Sequence, residues 1–247
     1  MLSWIRHHLD EILPSLIQEE LASDDGLVWS ADDRSRYCQR CGDDVGAYEA
    51  GPRGCSTCIG QSAPWSRIVR LGQYDEPLSR WIVQMKFANQ WGWGDWLGAC
   101  LAEEILKVQR QLPVGDTVVC PTPMHLWRRW SRGYNQAEIL ARRIGIDLGL
   151  PWDHLLKRTR YSPPQTTVAP SSRARNVAHS VAARPIDLTG WRVWLIDDVK
   201  TTGSTLQACT RALKSAGARD VSVAVVAVSS KRPPTASVQA STGQPPR

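Results

Sequence analysis

The sequence predicts an α/β protein with a parallel sheet flanked by helices and a small zinc-ribbon-like module before it. Beyond Pro64, strand-like and helix-like segments alternate, as they do in βαβ units. The strand-like runs 117–120, 192–196 and 221–228 are apolar at consecutive positions, which is typical of strands buried on both faces. Two Cys-x-x-Cys pairs lie upstream, within residues 37–60. These three observations define the fold class.

The chain divides by composition into four parts. Residues 1–35 combine an amphipathic helix over 3–21, kinked at Pro14, with an acidic linker. Residues 36–62 form the four-cysteine module and residues 63–230 the α/β domain. Residues 231–247, rich in Pro, Ser, Gln and Thr, are expected to be a disordered tail.

Within the α/β domain, the apolar pattern places each element in turn. Strands are expected at 68–74, 117–120, 192–196 and 221–228, and helices at 78–87, 96–108, 135–148 and 204–216. Ala137, Leu140 and Ile144 share one helical face, and Gly217 is placed to end the last helix. The long loops 121–132 and 158–180 are expected to be functional or mobile.

Charge is concentrated in one block. The chain has a net charge of +6, and residues 125–175 contain ten Lys or Arg against three Asp or Glu. A local basic block favours a site for a polyanion, and the alternative is a solvated basic face. No secretory leader and no run of about 18 apolar residues is visible, so we expect a cytoplasmic protein without membrane insertion.

The clustered cysteines predict a structural metal site. Cys38, Cys41, Cys55 and Cys58 form two Cys-x-x-Cys pairs, and two such pairs can surround one zinc ion with four thiolates. Four cysteine ligands leave no open position for catalysis, and chelation is expected to unfold 37–60 while sparing the α/β domain. The alternatives are disulfides or a redox pair.

A phosphate-binding loop is predicted between the third long strand and the last helix. Asp197 and Asp198 follow an apolar strand and can bind ribose hydroxyls or Mg²⁺. Small residues at the start of a helix then offer N–H and hydroxyl donors to a phosphate: Thr201, Thr202, Gly203, Ser204 and Thr205. The alternative is a capped helix after two solvated aspartates.

Residues 193–205 resemble the phosphoribosyl-pyrophosphate motif of type I phosphoribosyltransferases, a hydrophobic strand followed by D/E-D-x-x-x-T-G-x-T. Over residues 36–228 the chain resembles the ComF/ComFC (GntX-like) family. The resemblance rests on the cysteine module and on the segments Met-Lys-Phe at 85–87, Pro-Thr-Pro-Met-His at 121–125, Ser-Arg-Gly-Tyr-Asn-Gln at 131–136, and matching positions in 158–177.

The resemblance implies a role for each part of the site. Asp197 and Asp198 would hold the ribose hydroxyls and Mg²⁺, and residues 201–205 the 5′-phosphate. The segment with Arg132, Gly133 and Asn135 resembles the loop that faces pyrophosphate. Basic side chains suit that polyanion by charge: Arg128, Arg129, Arg132 and, at a helix end, Lys86. The stretch 158–176 would be a hood that closes over the site.

Two positions depart from the pattern. Thr201 stands where purine-using members carry an acidic general base, and threonine cannot act as a base at neutral pH. Ser172 stands where the family often has an acidic residue before an arginine, here Arg173. We therefore do not expect this loop to abstract a proton from a purine. We also expect one contact of the hood, at Ser172, to be missing.

Three functional hypotheses stay open. The first is an enzyme that transfers the phosphoribosyl group to a nitrogen nucleophile. The second is a non-catalytic DNA-uptake protein in competence, which binds single-stranded DNA through basic and aromatic residues of 125–175 and docks a helicase-like partner. The third is a sensor of phosphoribosyl pyrophosphate.

Overall fold

A four-stranded parallel sheet forms the centre of the protein. The computed structural model describes residues 29–46, 49–51, 54–59, 63–86, 91–111, 116–124, 134–159 and 181–229. The strands are β1 (Ile68–Gln73), β2 (Thr117–Pro121), β3 (Leu156–Arg158), β4 (Val181–Ala183), β5 (Arg192–Lys200) and β6 (Asp220–Val228). The helices are α1 (Leu78–Met85), α2 (Trp91–Gln109), α3 (Gln136–Leu148) and α4 (Ser204–Ser215). The sheet order is β1-β6-β5-β2, and every pair is parallel.

Helices cover both faces of this sheet, so two hydrophobic cores form. Trp194 and Ile196 of β5 pack towards α1, α2 and α3, whereas Val193 and Leu195 pack towards α4. This alternation follows from the two-residue period of a strand. The predicted α/β class and parallel sheet are confirmed.

Three local features differ from the sequence expectation. The helix α2 begins at Trp91, five residues before its expected start. β5 continues to Lys200, four residues beyond the expected end, because its pairing with β6 continues to Val228. Asp197 and Asp198 therefore lie within a strand. The ends of the long loop 158–180 belong to a short antiparallel pair, β3 with β4. The expected helix over 3–21, the tail from 231 and most of that loop lie outside the described residues.

Specific residues mark two helix ends, and the sequence predicted the one at Gly217. Asn135 caps α3, since its side chain accepts a hydrogen bond from the N–H of Ala137. Gly217, with φ of +97°, lies just after the end of α4. None of the helices in the described ranges is long and apolar enough to cross a bilayer.

Four of the twelve tryptophans of the protein form one aromatic cluster. Trp29 lies 5.2 Å from Trp81 and 5.6 Å from Trp96, measured between ring centroids. Trp93 stacks on Trp81 at 5.7 Å. The cluster packs the segment before the cysteine module against α1 and α2, and such ring pairs add stability beyond their buried area.

A buried arginine joins the cysteine module to the sheet edge. The side chain of Arg70, on β1, is fully buried and pairs with Asp32 at 2.7 Å and with Asp44. It also donates to the carbonyl of Gly42 at 2.6 Å and lies over the ring of Tyr37, 4.8 Å from its centroid. A buried charge needs such partners, and here all of them come from residues 32–44.

We predict that Arg70→Met lowers the free energy of unfolding by about 3 kcal/mol, because it leaves two carboxylates, each about three-quarters buried, without their cation. Arg80→Met is the matched control, since its pair with Glu76 is exposed and worth less than about 1 kcal/mol. Urea unfolding of both variants measures the difference. Equal losses would contradict the role of Arg70.

Candidate functional site

The carboxylates of Asp197 and Asp198 lie near the carboxyl end of the central strand β5. The neighbouring strand β2 ends at Pro121, opposite Ile196, so the next residue, Thr122, reaches the same edge. The N–H of Thr122 donates to the carbonyl of Ile196 at 2.9 Å, and its hydroxyl donates to the carboxylate of Asp197. Thr122 is a site residue that sequence reasoning missed.

Asp197 is held in an unusual electrostatic environment. Burial of its carboxyl, followed by the charge of Asp198, raises the pKa of Asp197 to about 8. The hydrogen bond from Thr122 opposes this shift without cancelling it. Among the described residues, no cation pairs with Asp197 within 4 Å. A cation placed beside this carboxyl would favour its charged form and lower its pKa again.

Asp198 has a cationic partner from another element. Its Oδ2 lies 3.2 Å from Nζ of Lys86, the residue that ends α1, and both side chains are about three-quarters buried. Tyr134 donates its hydroxyl hydrogen bond to the carbonyl of Met85, next to Lys86. The structure thus brings together Lys86 and Asp198, two residues that the sequence proposed separately.

The small-residue loop 201–205 connects β5 to α4. Gly203 precedes the first residue of α4 and has φ of +74°, a left-handed conformation that favours glycine. Thr201 and Thr202 are exposed, and the hydroxyl of Thr202 lies 3.1 Å from that of Ser204. The first N–H groups of a helix have no partners within it, so this loop offers donors next to two carboxylates.

One further predicted residue, Asn135, reaches the same edge. Its Nδ2 donates to the carbonyl of Thr122 at 3.0 Å. The guanidinium of Arg158, at the end of β3, donates to the carbonyl of Pro123 at 3.0 Å. These bonds hold the start of the loop after β2 next to Asp197. The other predicted pyrophosphate residues, Arg128, Arg129, Arg132 and Gly133, lie outside the described residues.

The four predicted metal ligands form one cluster. Their sulfur atoms all lie within 4.8 Å of one another. Measured separations are 3.7 Å for Cys38 and Cys58, 3.6 Å for Cys41 and Cys55, and 3.9 Å for Cys55 and Cys58. A tetrahedron with metal–sulfur bonds of ~2.3 Å has edges of ~3.8 Å, so the arrangement fits a four-sulfur metal site.

Hydrogen bonds already favour a thiolate in this cluster. Coupling with the neighbouring Cys41 thiol lowers the pKa of Cys38 and raises the pKa of Cys41, so one of the two sulfurs carries the charge more readily. The backbone N–H of Cys55 also points at the Cys38 sulfur, at 3.3 Å. Ligand thiols must be deprotonated to bind zinc, so this donor set suits a thiophilic metal.

The cysteine module reaches the small-residue loop through two side chains that flank it, Lys200 and Trp65, which the sequence did not predict. Nζ of Lys200, the last residue of β5, lies 3.6 Å from a carboxylate oxygen of Asp43. The indole of Trp65 packs beside Gly203, where an added Cβ would lie 3.4 Å from the ring. Residues far apart in sequence meet here because β1, which follows the module, pairs next to β6.

Comparison with known proteins gives consistent matches. The model of the phosphoribosyl transferase domain matches residues 130–241. Competence protein F of Haemophilus influenzae is 32% identical over 196 residues, which cover 76% of this chain and 82% of that protein. DNA utilization protein YhgH of Salmonella typhi is 31% identical over 193 residues, 77% of this chain and 83% of that protein.

Among solved structures, the purine phosphoribosyltransferase from Pyrococcus horikoshii is 21% identical and covers 67% of this chain and 83% of its own, with a TM-score of 0.35. This distant likeness has no bearing on function. The two sequence relatives, in contrast, align with this chain over most of both lengths.

We predict that Asp197→Asn stabilises the protein increasingly as pH rises from about 4 to about 8. The folded-state pKa lies above the ordinary value of 3.8, so the folded protein keeps a proton that the unfolded chain has released. Stability from this group therefore falls with rising pH in wild type, and asparagine removes that loss. Thermal melts without added Mg²⁺ measure the effect.

Asp187→Asn is the control, because the pKa of Asp187 is shifted in the opposite direction. Hydrogen bonds from Thr189 hold the pKa of Asp187 below its usual value, so its contribution is present above about pH 4 and is lost in acid. This variant should lose stability at neutral pH rather than gain it. A pH-independent difference between Asp197→Asn and wild type would contradict the raised pKa.

Proposed function

Because this chain belongs to the ComF family, together with Competence protein F and YhgH, we propose that it binds phosphoribosyl pyrophosphate, or a nucleotide 5′-phosphate, with Mg²⁺. One observation supports this most strongly. Two carboxylates on β5, one of them without a cation among the described residues, lie directly before a small-residue loop at the start of α4. Such a site can hold a sugar diol and its phosphate together.

Each residue would have a distinct role. Asp197 and Asp198 would accept hydrogen bonds from the ribose hydroxyls and hold Mg²⁺, since carboxylate oxygens are its preferred ligands. The 5′-phosphate would accept hydrogen bonds from the residues of the small-residue loop: Thr201, Thr202, Gly203, Ser204 and Thr205. The ammonium of Lys86, which pairs with Asp198 in the unliganded protein, would leave that carboxylate and pair with the pyrophosphate.

The proposed reaction transfers the phosphoribosyl group to a nitrogen nucleophile. The bond between the anomeric carbon and pyrophosphate breaks as the new carbon–nitrogen bond forms, and charge develops on the leaving group. Bound Mg²⁺ would supply positive charge at that group. Lys86, Asn135 and the basic residues of 125–133 would orient the pyrophosphate, while residues 158–176 would exclude water.

We also propose that the cysteine cluster binds one structural zinc ion. All four ligands are cysteines, so no position remains for a substrate. Residues 36–62 would then be a metal-stabilised module ahead of the phosphoribosyltransferase-like domain, 63–230. A site of four reduced thiolates suits the cytoplasm, where we place the protein.

A second candidate function follows from the relatives. One is named a competence protein and another a DNA utilization protein. This chain would then be a DNA-uptake protein that uses the same pocket for a nucleotide or a DNA end, with basic residues such as Arg128 and Arg129 binding single-stranded DNA. A helicase-like protein would be its partner. A third candidate is a sensor of phosphoribosyl pyrophosphate without transfer activity.

We predict that the double variant Asp197→Asn with Asp198→Asn weakens binding of Mg²⁺-phosphoribosyl pyrophosphate by at least ~1.5–3 kcal/mol, the range for hydrogen bonds to charged groups. Folding should be retained, because the change removes charge repulsion. Isothermal titration calorimetry and a thermal melt measure both effects. The control is Asp75→Asn, an exposed carboxylate in the turn before α1.

Unaltered binding by the double variant would remove the sugar-phosphate site from this proposal. The same titration with single-stranded DNA separates the candidates. Tight DNA binding without binding of phosphoribosyl pyrophosphate by wild type would favour the DNA-uptake function.

We predict one zinc ion per chain in the purified protein, measured by elemental analysis. Cys55→Ser should lose the metal, because a hydroxyl is a poor ligand for zinc at a four-thiolate site. Cys100→Ser is the matched control, since Cys100 is a half-buried cysteine outside the cluster. Absence of zinc in wild type, or its retention in Cys55→Ser, would overturn the assignment.

A further inference from the structure

The first cysteine turn, residues 38–44, is bonded to the α/β domain along most of its length. The carbonyl of Gln39 accepts a hydrogen bond from the N–H of Ile68 at 2.8 Å. The carbonyl of Arg40 accepts one from the indole Nε1 of Trp65, also at 2.8 Å. A separate metal module on a linker would not need such bonds, so this turn is part of the domain's framework.

The same turn reaches the start of the small-residue loop. Lys200 immediately precedes Thr201, its side chain is 10% exposed, and its ammonium pairs with Asp43. The backbone of Lys200 is fixed as well, because its carbonyl accepts a hydrogen bond from the N–H of Ser229 at 2.8 Å. The ring of Trp65 and the side chain of Lys200 both lie beside Gly203, where an added Cβ would be 3.4 Å and 3.5 Å from them.

Asp43 is in turn bonded to the segment that carries the sulfur ligands. Its carbonyl accepts a hydrogen bond from the N–H of Cys38 at 2.9 Å. The position of Asp43 therefore depends on how the cluster holds Cys38. A continuous chain of contacts runs from the sulfurs through Asp43 to Lys200 and the loop.

We propose that the cysteine module supports the small-residue loop through Lys200 and Trp65, with Asp43 and Trp65 as positioning residues, so that the metal and a sugar 5′-phosphate bind cooperatively. The identity of the ligand rests on the function proposed above, whereas the contacts of the module with Lys200 and Trp65 do not. Metal loss would then act beyond residues 37–60 and loosen the loop. Because linkage is reciprocal, the phosphate ligand would also tighten metal binding by the same factor.

The test uses the full chain and ribose 5-phosphate as the probe. Titration of the zinc-loaded and the chelated protein gives the factor by which metal tightens phosphate binding. Competition with a zinc chelator, with and without saturating ribose 5-phosphate, gives the reciprocal factor. We expect two equal factors of about fivefold to about 150-fold, the usual range for coupling between two binding sites. A factor of one in either direction overturns the proposal.

Variants show whether the named contacts transmit the coupling. Lys200→Met removes the pair with Asp43 without touching the cysteine turn, and Trp65→Phe keeps an aromatic ring but removes the Nε1 donor. Each should reduce the coupling factor towards one, which general destabilisation would not do. Asp147→Asn is the matched control, since it breaks a half-buried ion pair with Arg143 on α3.

Hydrogen exchange separates failure of this proposal from failure of the proposed function. In the zinc-loaded protein without ligand, Lys200→Met should speed amide exchange in 200–205, and chelation should speed it in wild type. If wild type does not bind ribose 5-phosphate but this exchange changes as expected, the ligand assignment fails and the coupling stands. Unchanged exchange in 200–205 overturns the coupling whatever the ligand.

Discussion

Asp197 and Asp198 are consecutive carboxylates on a strand with apolar neighbours on both sides, where an ionised group is costly unless a partner compensates it. At the carboxyl edge of the sheet, side chains from neighbouring elements compensate these carboxylates. Lys86, from the end of α1, neutralises Asp198, and the hydroxyl of Thr122, after β2, stabilises Asp197. The compensation of Asp197 is incomplete, and its pKa is raised accordingly. A cation beside that carboxyl would complete the compensation, because it favours the charged form.

The edge strand β1 faces a second constraint, because an unprotected edge exposes unpaired backbone groups. The cysteine module covers it. The carbonyl of Gln39 accepts a hydrogen bond from the N–H of Ile68. The buried guanidinium of Arg70 donates hydrogen bonds to carboxylates and a carbonyl in residues 32–44. Once the module is fixed there, its turn lies next to the small-residue loop. Protection of the edge and support of the candidate site thus depend on the same few residues.

Elements and loops formed by consecutive residues could be predicted from the sequence. Contacts that depend on the order of the strands in the sheet could not. The parallel sheet follows from strands that are apolar on both faces, and the loop 201–205 is visible as a run of small residues before a helix. Nothing in the sequence around Thr122 indicates a role in the site, because its position next to Asp197 depends on the pairing of β2 with β5. Lys200 and Asp43 meet only because β1 lies at the edge next to β6. The end of β5 was misjudged because polar residues after Ile196 resemble a loop, although backbone pairing with β6 continues through them.

A crystal structure of the full chain grown with Mg²⁺ and phosphoribosyl pyrophosphate tests the central claim most directly. The account predicts the 5′-phosphate within hydrogen-bond distance of backbone N–H groups in 202–205, and the ribose hydroxyls on Asp197 and Asp198. It also predicts that Lys86 leaves Asp198 for the pyrophosphate. A ligand bound elsewhere, with the carboxylates uncontacted and the pair between Lys86 and Asp198 intact, would contradict it.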